Sequence, residues 1–167
     1  TDICGFGFKR MHLTLSTCGL ADKIERLGKE GSRKCCLAVS LNAGNDSLRS
    51  RLMPVNRTFP LKRLKESLLA YPLPSSTVIL FEYIMIEGVN DRLQDAEEIV
   101  EFLKGLKARV NLIPLNASHE GPYRTSSSRA MEGFFKYLHA RGIRVVRRQS
   151  KGDQILAGCG QLGGHAR

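Results

Sequence analysis

The chain has 167 residues, 42% of them hydrophobic and 25% charged, with 26 Lys and Arg against 16 Asp and Glu for a formal net charge of +10. That is enough for one domain with its own core, and it excludes a disordered chain or two domains of ordinary size. The excess of positive charge favours a polyanionic partner, and basic residues gather at Lys62, Arg63 and Lys65 and again at Arg141, Arg144, Arg147, Arg148 and Lys151.

Taken in chain order, strands and helices alternate. Residues 11–17 (MHLTLST) read as a strand, followed by a helix over 20–29 with Leu20, Ile24 and Leu27 at helical spacing. Residues 35–41 (CCLAVSL) form a nearly continuous apolar run, the pattern of a strand buried on both faces. A short helix is predicted over 46–53, stopped by Pro54, and Pro60 opens another with Leu61, Leu64 and Leu68 on one face. Residues 78–86 are the third strand, and Asn90 and Asp91 are predicted to cap an amphipathic helix from Leu93 to Leu106. Residues 110–115 (VNLIPL) are the fourth strand. Ser126 to Ser128 precede a helix marked by Met131, Phe134, Phe135 and Leu138, which Gly142 ends before a fifth strand over 143–148. This alternation predicts an α/β fold of parallel βα units, a doubly wound sheet or part of a barrel, since a closed eight-unit barrel takes about 250 residues.

The longest apolar run, 78–86, is broken by Glu82 and falls short of the roughly 20 residues of a membrane span. Residues 1–10 lack the apolar segment of a secretory signal, and a chain that begins at Thr1 is expected to be a piece of a longer protein or a processed one. The five cysteines (4, 18, 35, 36 and 159) are odd in number and irregularly spaced, and His12, His119, His139 and His165 are scattered. Neither a disulfide framework nor a self-contained zinc site is expected, and a reducing, cytoplasmic setting is. Trp is absent and aromatics are few, so RNA or DNA contact is expected through phosphates rather than base stacking.

Parallel βα folds bind ligands at the C-terminal ends of their strands. Those ends read Ser16-Thr17-Cys18-Gly19, Ser40-Leu41-Asn42, Glu87-Gly88-Val89-Asn90 and Asn111 to Asn116, which gather small hydroxyls and amides on one rim. Such groups suit a nucleoside's ribose and base edges, and equally they make turns and helix caps. Glu82, inside a strand, needs either a polar interior or a hydrogen-bonding partner, as a site residue or a structural one. Cys159, between Gly158 and Gly160 and near Arg147, Arg148 and Lys151, is either a nucleophile favoured as thiolate or a free thiol without a role. Cys35 and Cys36 are expected to fill a strand, and Cys18 to serve a turn or the core, with a place on the rim as the alternative.

The stretches LSTCG (15–19), LAVSLNAGNDSLRSRLMPVNR (37–57), FEYIMIEGVND (81–91), VNLIPLN (110–116) and GDQILAGCGQL (152–162) resemble, in order, the radical S-adenosylmethionine methyltransferases that modify carbon 2 of adenine in 23S ribosomal RNA and tRNA. A close relative of that family methylates carbon 8. The resemblance implies the C-terminal portion of a partial (β/α)6 radical-SAM barrel, a single domain over 1–167 with a cysteine-bearing extension from about 150 to 167. It implies S-adenosylmethionine and a 4Fe-4S cluster as cofactors, with the cluster's cysteine loop and a second, resolving cysteine upstream of Thr1. Cofactor contacts carry over to Ser16, Ser40, Leu41, Asn42 and Asn116. Cys159 carries over as the residue methylated by one cofactor molecule; hydrogen abstraction from it then lets its carbon add to the adenine.

Asn42 stands where the family usually has His, Ala117 replaces a Pro, and Gln154 and Leu156 replace acidic residues. The resemblance further implies rRNA and tRNA as partners, a reductant protein such as flavodoxin or ferredoxin, and no membrane. The chain alone is expected to be catalytically incomplete and prone to self-association through an open sheet edge. The other expectation carried forward is a stand-alone half-barrel that binds RNA or a subunit without catalysis.

Overall fold

A computed structural model describes residues 13–30, 35–73, 76–116 and 122–148. Its elements are β1 (Thr14–Thr17), α1 (Ala21–Lys29), β2 (Cys36–Ser40), α2 (Asp46–Leu52), a 3-10 turn (Pro54–Arg57), α3 (Leu61–Ala70), β3 (Ile79–Met85), α4 (Leu93–Leu103), β4 (Ala108–Pro114), α5 (Ser128–Ala140) and β5 (Arg144–Arg147). The five strands lie in one sheet in sequence order, every neighbouring pair parallel. Among the described residues, no helix is long and apolar enough to cross a membrane.

Sequential order and crossovers of the usual right hand put successive helices on the same side of a sheet. The packing agrees: Ile24 of α1, Leu64 and Leu68 of α3, Ile99 and Phe102 of α4, and Phe134 and Leu138 of α5 share one core with Leu37, Val39, Phe81, Tyr83, Val110 and Leu112. Those strand residues occupy alternate positions, so they line a single face. The other face carries Ser16, Ser40, Leu80, Glu82, Ile84, Arg109 and Asn111, and is the inner wall of a partial barrel. Among the described strands, only the middle of β2 is buried on both sides; β3 alternates strictly between buried and half-buried, with no helix among the described residues on the inner wall.

The helix starts follow local chemistry. Asn45 caps α2 by accepting from Leu48 N at 2.8 Å, and Ser127 caps α5 by accepting from Ala130 N at 3.1 Å. The expected cap of α4 is displaced: Arg92 occupies the cap position, its N–H donating to the Asp95 carboxylate at 2.9 Å. Asp91 instead accepts from Gly88 N at 2.9 Å in the preceding turn, and Asn90 is wholly buried. Gly142, at φ +76, ends α5 as expected.

The loop from β2 to α2 presses on α4, where Asn45 Nδ2 donates to Glu98 Oε2 at 2.6 Å. A Cβ on Gly44 would stand 2.5 Å from the Glu98 carbonyl carbon, a clash with backbone that no side-chain rotation relieves. Gly44→Ala is therefore expected to lower stability by about 1–3 kcal/mol in urea unfolding, the usual range for overpacking.

Candidate functional site

The C-terminal ends of β1 to β4 form one rim, and the described site candidates all fall on it at different depths. Ser16, in β1, pairs in register with Ala38; Ser40, the last residue of β2, pairs with Glu82, which pairs with Asn111. Asn42 lies one step further out, beside Ile84, and Asn116 follows the end of β4. Ser16 is exposed and Ser40 half-buried, and neither hydroxyl is hydrogen-bonded to a described residue.

Leu41 differs from its neighbours. Its side chain is buried in the core, its N–H donates to Glu82 O at 2.9 Å, and its carbonyl accepts from Arg49 Nε at 3.1 Å. It contributes backbone placement rather than a polar side chain.

Asn42 has φ +59, the left-handed region in which Asn is among the best-tolerated residues after Gly. Its Oδ1 accepts from Ile84 N at 3.0 Å, replacing the carbonyl a longer β2 would have offered, and its Nδ2 points at Met53 Sδ 3.4 Å away. Asn90 completes the join. Its Oδ1 accepts from Ile86 N at 2.7 Å, and its Nδ2 donates to Ile84 O at 2.7 Å and Asn42 O at 2.9 Å. Its own carbonyl accepts from the Tyr83 hydroxyl at 2.7 Å, and burial raises that phenol well above its ordinary range.

Glu82 sits on the inner wall with one oxygen held by Asn111 Nδ2 at 3.0 Å. Its other oxygen, Oε2, is buried and has no hydrogen-bond partner among the described residues. A buried carboxylate oxygen without a donor is costly, so this wall offers an acceptor to whatever occupies it.

Sequence reasoning missed Arg49 and Asn56 as rim-building residues, and placed Asn90 on the rim without foreseeing that it is buried there. All three lie inside the motif stretches quoted above, yet nothing in their spacing signals burial. Cys18 is exposed in the bend that follows β1, at the rim, which fits the turn role and not the core one. Cys35 is half-buried with its carbonyl accepting from the Tyr71 hydroxyl at 3.0 Å. Of the basic clusters, Arg63 is paired with Glu25, and Arg147 with Glu132 while stacking over Phe135. Arg144 and Arg148 are exposed on and beside β5, and Arg141 lies over the Tyr137 ring. Cys159, Lys151 and the expected extension fall outside the described residues.

No family model matches the chain. Individual proteins do. It is 43% identical over 160 residues, 96% of its length, to a dual-specificity RNA methyltransferase RlmN from Pelobacter propionicus. It is 44% identical over 161 residues to another of that name from Geobacter sulfurreducens. Among solved structures, a radical SAM methyltransferase from Sphaerobacter thermophilus matches with TM-score 0.87 and 41% identity over 94% of the chain. The chain spans 46% of the first of these relatives and 46% of the solved chain, a little under half. The chain is thus homologous to part of proteins named dual-specificity RNA methyltransferase RlmN, and its five-stranded parallel sheet matches a portion of the fold of a radical SAM methyltransferase.

Asn90→Ala leaves the Ile86 N–H without its acceptor and the Ile84 and Asn42 carbonyls without the amide that donates to them. A loss of about 3 kcal/mol is expected by thermal or urea unfolding, since each buried unpaired group costs about 1–3 kcal/mol. A loss below about 1 kcal/mol would mean water replaces the amide.

Proposed function

We propose that this chain forms part of an RNA methyltransferase that places a methyl group on carbon 2 of adenine in 23S rRNA and tRNA, using S-adenosylmethionine in radical chemistry. The observation that carries this is homology at 43% identity across 96% of the chain to a protein of that class.

The inner wall and rim fit a nucleoside cofactor in their donors and acceptors. Ser16 and Ser40 offer hydroxyls, Asn42 and Asn116 amides, and Glu82 Oε2 a carboxylate oxygen lacking a described donor. Ser16, Ser40 and Asn42 would hold the cofactor, with Asn116 closing on it from β4 and Leu41 fixing the backbone between Ser40 and Asn42. Bound there, S-adenosylmethionine supplies the methyl group and, with a cluster, one-electron chemistry. The cluster's ligands are assigned to the part of the relatives' length that this chain does not span. His at position 42 would donate from one nitrogen and accept at the other when neutral, and donate from both when charged, whereas the Asn42 amide carries no titrating proton. Asn42 therefore orients and cannot relay.

Cys159 is assigned as the methyl-carrying thiol, on its match to the family motif. Arg144, Arg148 and Arg141, exposed at the β5 edge and the end of α5, present positive charge to RNA phosphates. A cytoplasmic location and a flavodoxin- or ferredoxin-type electron donor complete the reading.

The test uses the complete protein containing this chain, with cluster, cofactor and reductant supplied, and mass spectrometry of adenosines from 23S rRNA and tRNA. Methylation at carbon 2 is expected, abolished by Cys159→Ala with iron content unchanged. Methylation at carbon 8 would move the protein to the neighbouring specificity. RNA binding without methylation of either carbon would favour the stand-alone binding half-barrel.

A further inference from the structure

We infer that Arg49 is a positioning residue for the cofactor rim, its guanidinium fixing the ends of β1 and β2 relative to one another. The inference rests on the proposed cofactor site only for its ligand; the geometry stands independently.

The ladder between β1 and β2 has its last registered pair at Thr17 and Val39. Immediately beyond it, Cys18 and Ser40 each present a carbonyl that no strand partner meets. Arg49 reaches from α2 to both. Its Nη2 donates to Cys18 O at 2.8 Å and to Ser40 O at 3.2 Å, and its Nε donates to Leu41 O at 3.1 Å. One guanidinium therefore extends the sheet past its own ladder, across the two strand ends that carry Ser16, Ser40 and Asn42.

The guanidinium is itself held. Nη1 donates to Asn56 Oδ1 at 2.8 Å, and Asn56 Nδ2 donates to Asp46 Oδ1 and Ser50 Oγ, both at 2.9 Å. Asp46 Oδ1 also accepts from Leu61 N at 2.8 Å, which ties the first turn of α3 to the same group. Arg49 is 0% exposed, so it has no water to exchange these bonds with. Burial lowers its pKa, opposed by Cys18 and Asp46. Neighbouring backbone has made room: Gly19 takes φ +102, and a Cβ there would stand 2.8 Å from Nη2.

Only a planar fork can serve several acceptors in these directions; a lysine ammonium is a single point donor on a flexible stem. Arg49→Lys therefore keeps the charge and loses the spacing.

The complete protein and its Arg49→Lys form are compared with a core control, Ile99→Val, by thermal melting, by titration calorimetry with S-adenosylhomocysteine as the probe, and by amide hydrogen exchange. With Arg49→Lys, affinity is expected to fall at least tenfold while the control stays within twofold. Exchange is expected to quicken at residues 18–19 and 41–42 and to stay unchanged in β4 and α5. Affinity within twofold of wild type, or unaltered exchange at those four residues, overturns the inference. So does an affinity loss matched by the control at equal melting temperature, which would make Arg49 a general stabiliser. If wild-type protein binds no S-adenosylhomocysteine, the cofactor reading fails and exchange alone decides Arg49. Should Arg49→Lys not accumulate folded, Asn56→Ala, which removes the Nη1 acceptor and leaves the guanidinium, is read by the same criteria.

Discussion

Parallel pairing between consecutive strands is the constraint from which the rest follows. Each strand must be re-entered from the same end, so each needs a return segment, and returns of one hand stack α1, α3, α4 and α5 on one side. The sheet then has one dry face and one inner wall, and all its strands finish at one edge. Ser16, Ser40, Asn42 and Asn116, spread over a hundred residues of sequence, share that edge because of the topology and for no local reason.

The same constraint creates a problem where the ladders stop. Parallel strands of unequal length leave carbonyls and N–H groups unpaired at a half-buried edge, where solvation is incomplete. Side chains fill the gap. Asn42 offers its amide oxygen to Ile84 N, Asn90 bridges Ile84, Ile86 and Asn42, and Arg49 gathers the carbonyls of Cys18, Ser40 and Leu41. A planar amide or guanidinium replaces the missing strand residue in each case. The rim is therefore built from rigid, directional groups.

The architecture was legible because periodicity reports burial directly. The apolar spacing in α1, α3, α4 and α5 and the apolar runs of β2 to β4 each mark the face that meets the core, and all five strands fall where those runs predict. What was not legible were polar residues turned inward. Arg49 sits in a helix rich in Ser, Asp and Arg, and a spacing pattern treats it as a solvated charge; only the carbonyls of two distant segments explain its burial. Asn90 looked like a helix cap because Asn before an amphipathic run usually is one, yet the three groups it satisfies belong to the end of β3, the residue after it, and Asn42 beyond the end of β2. Cys18 takes the turn rather than the core because the edge strand β1 has no neighbour on its far side among the described residues. The family motifs flagged the right stretches and left the roles within them to be found in three dimensions.

Sequential strand order also has a kinetic meaning. Every strand pairs with its immediate predecessor, so each loop closed during folding is about one βα unit long, and no pairing waits for a distant segment. Contact order stays low for a parallel sheet, and structure can accrete one unit at a time as the chain leaves the ribosome. Among the described strands, β1 is synthesised first and β5 last. A break between any two of the described units would separate a single strand pairing, which makes the junctions between βα units the natural places for such a fold to be split or extended.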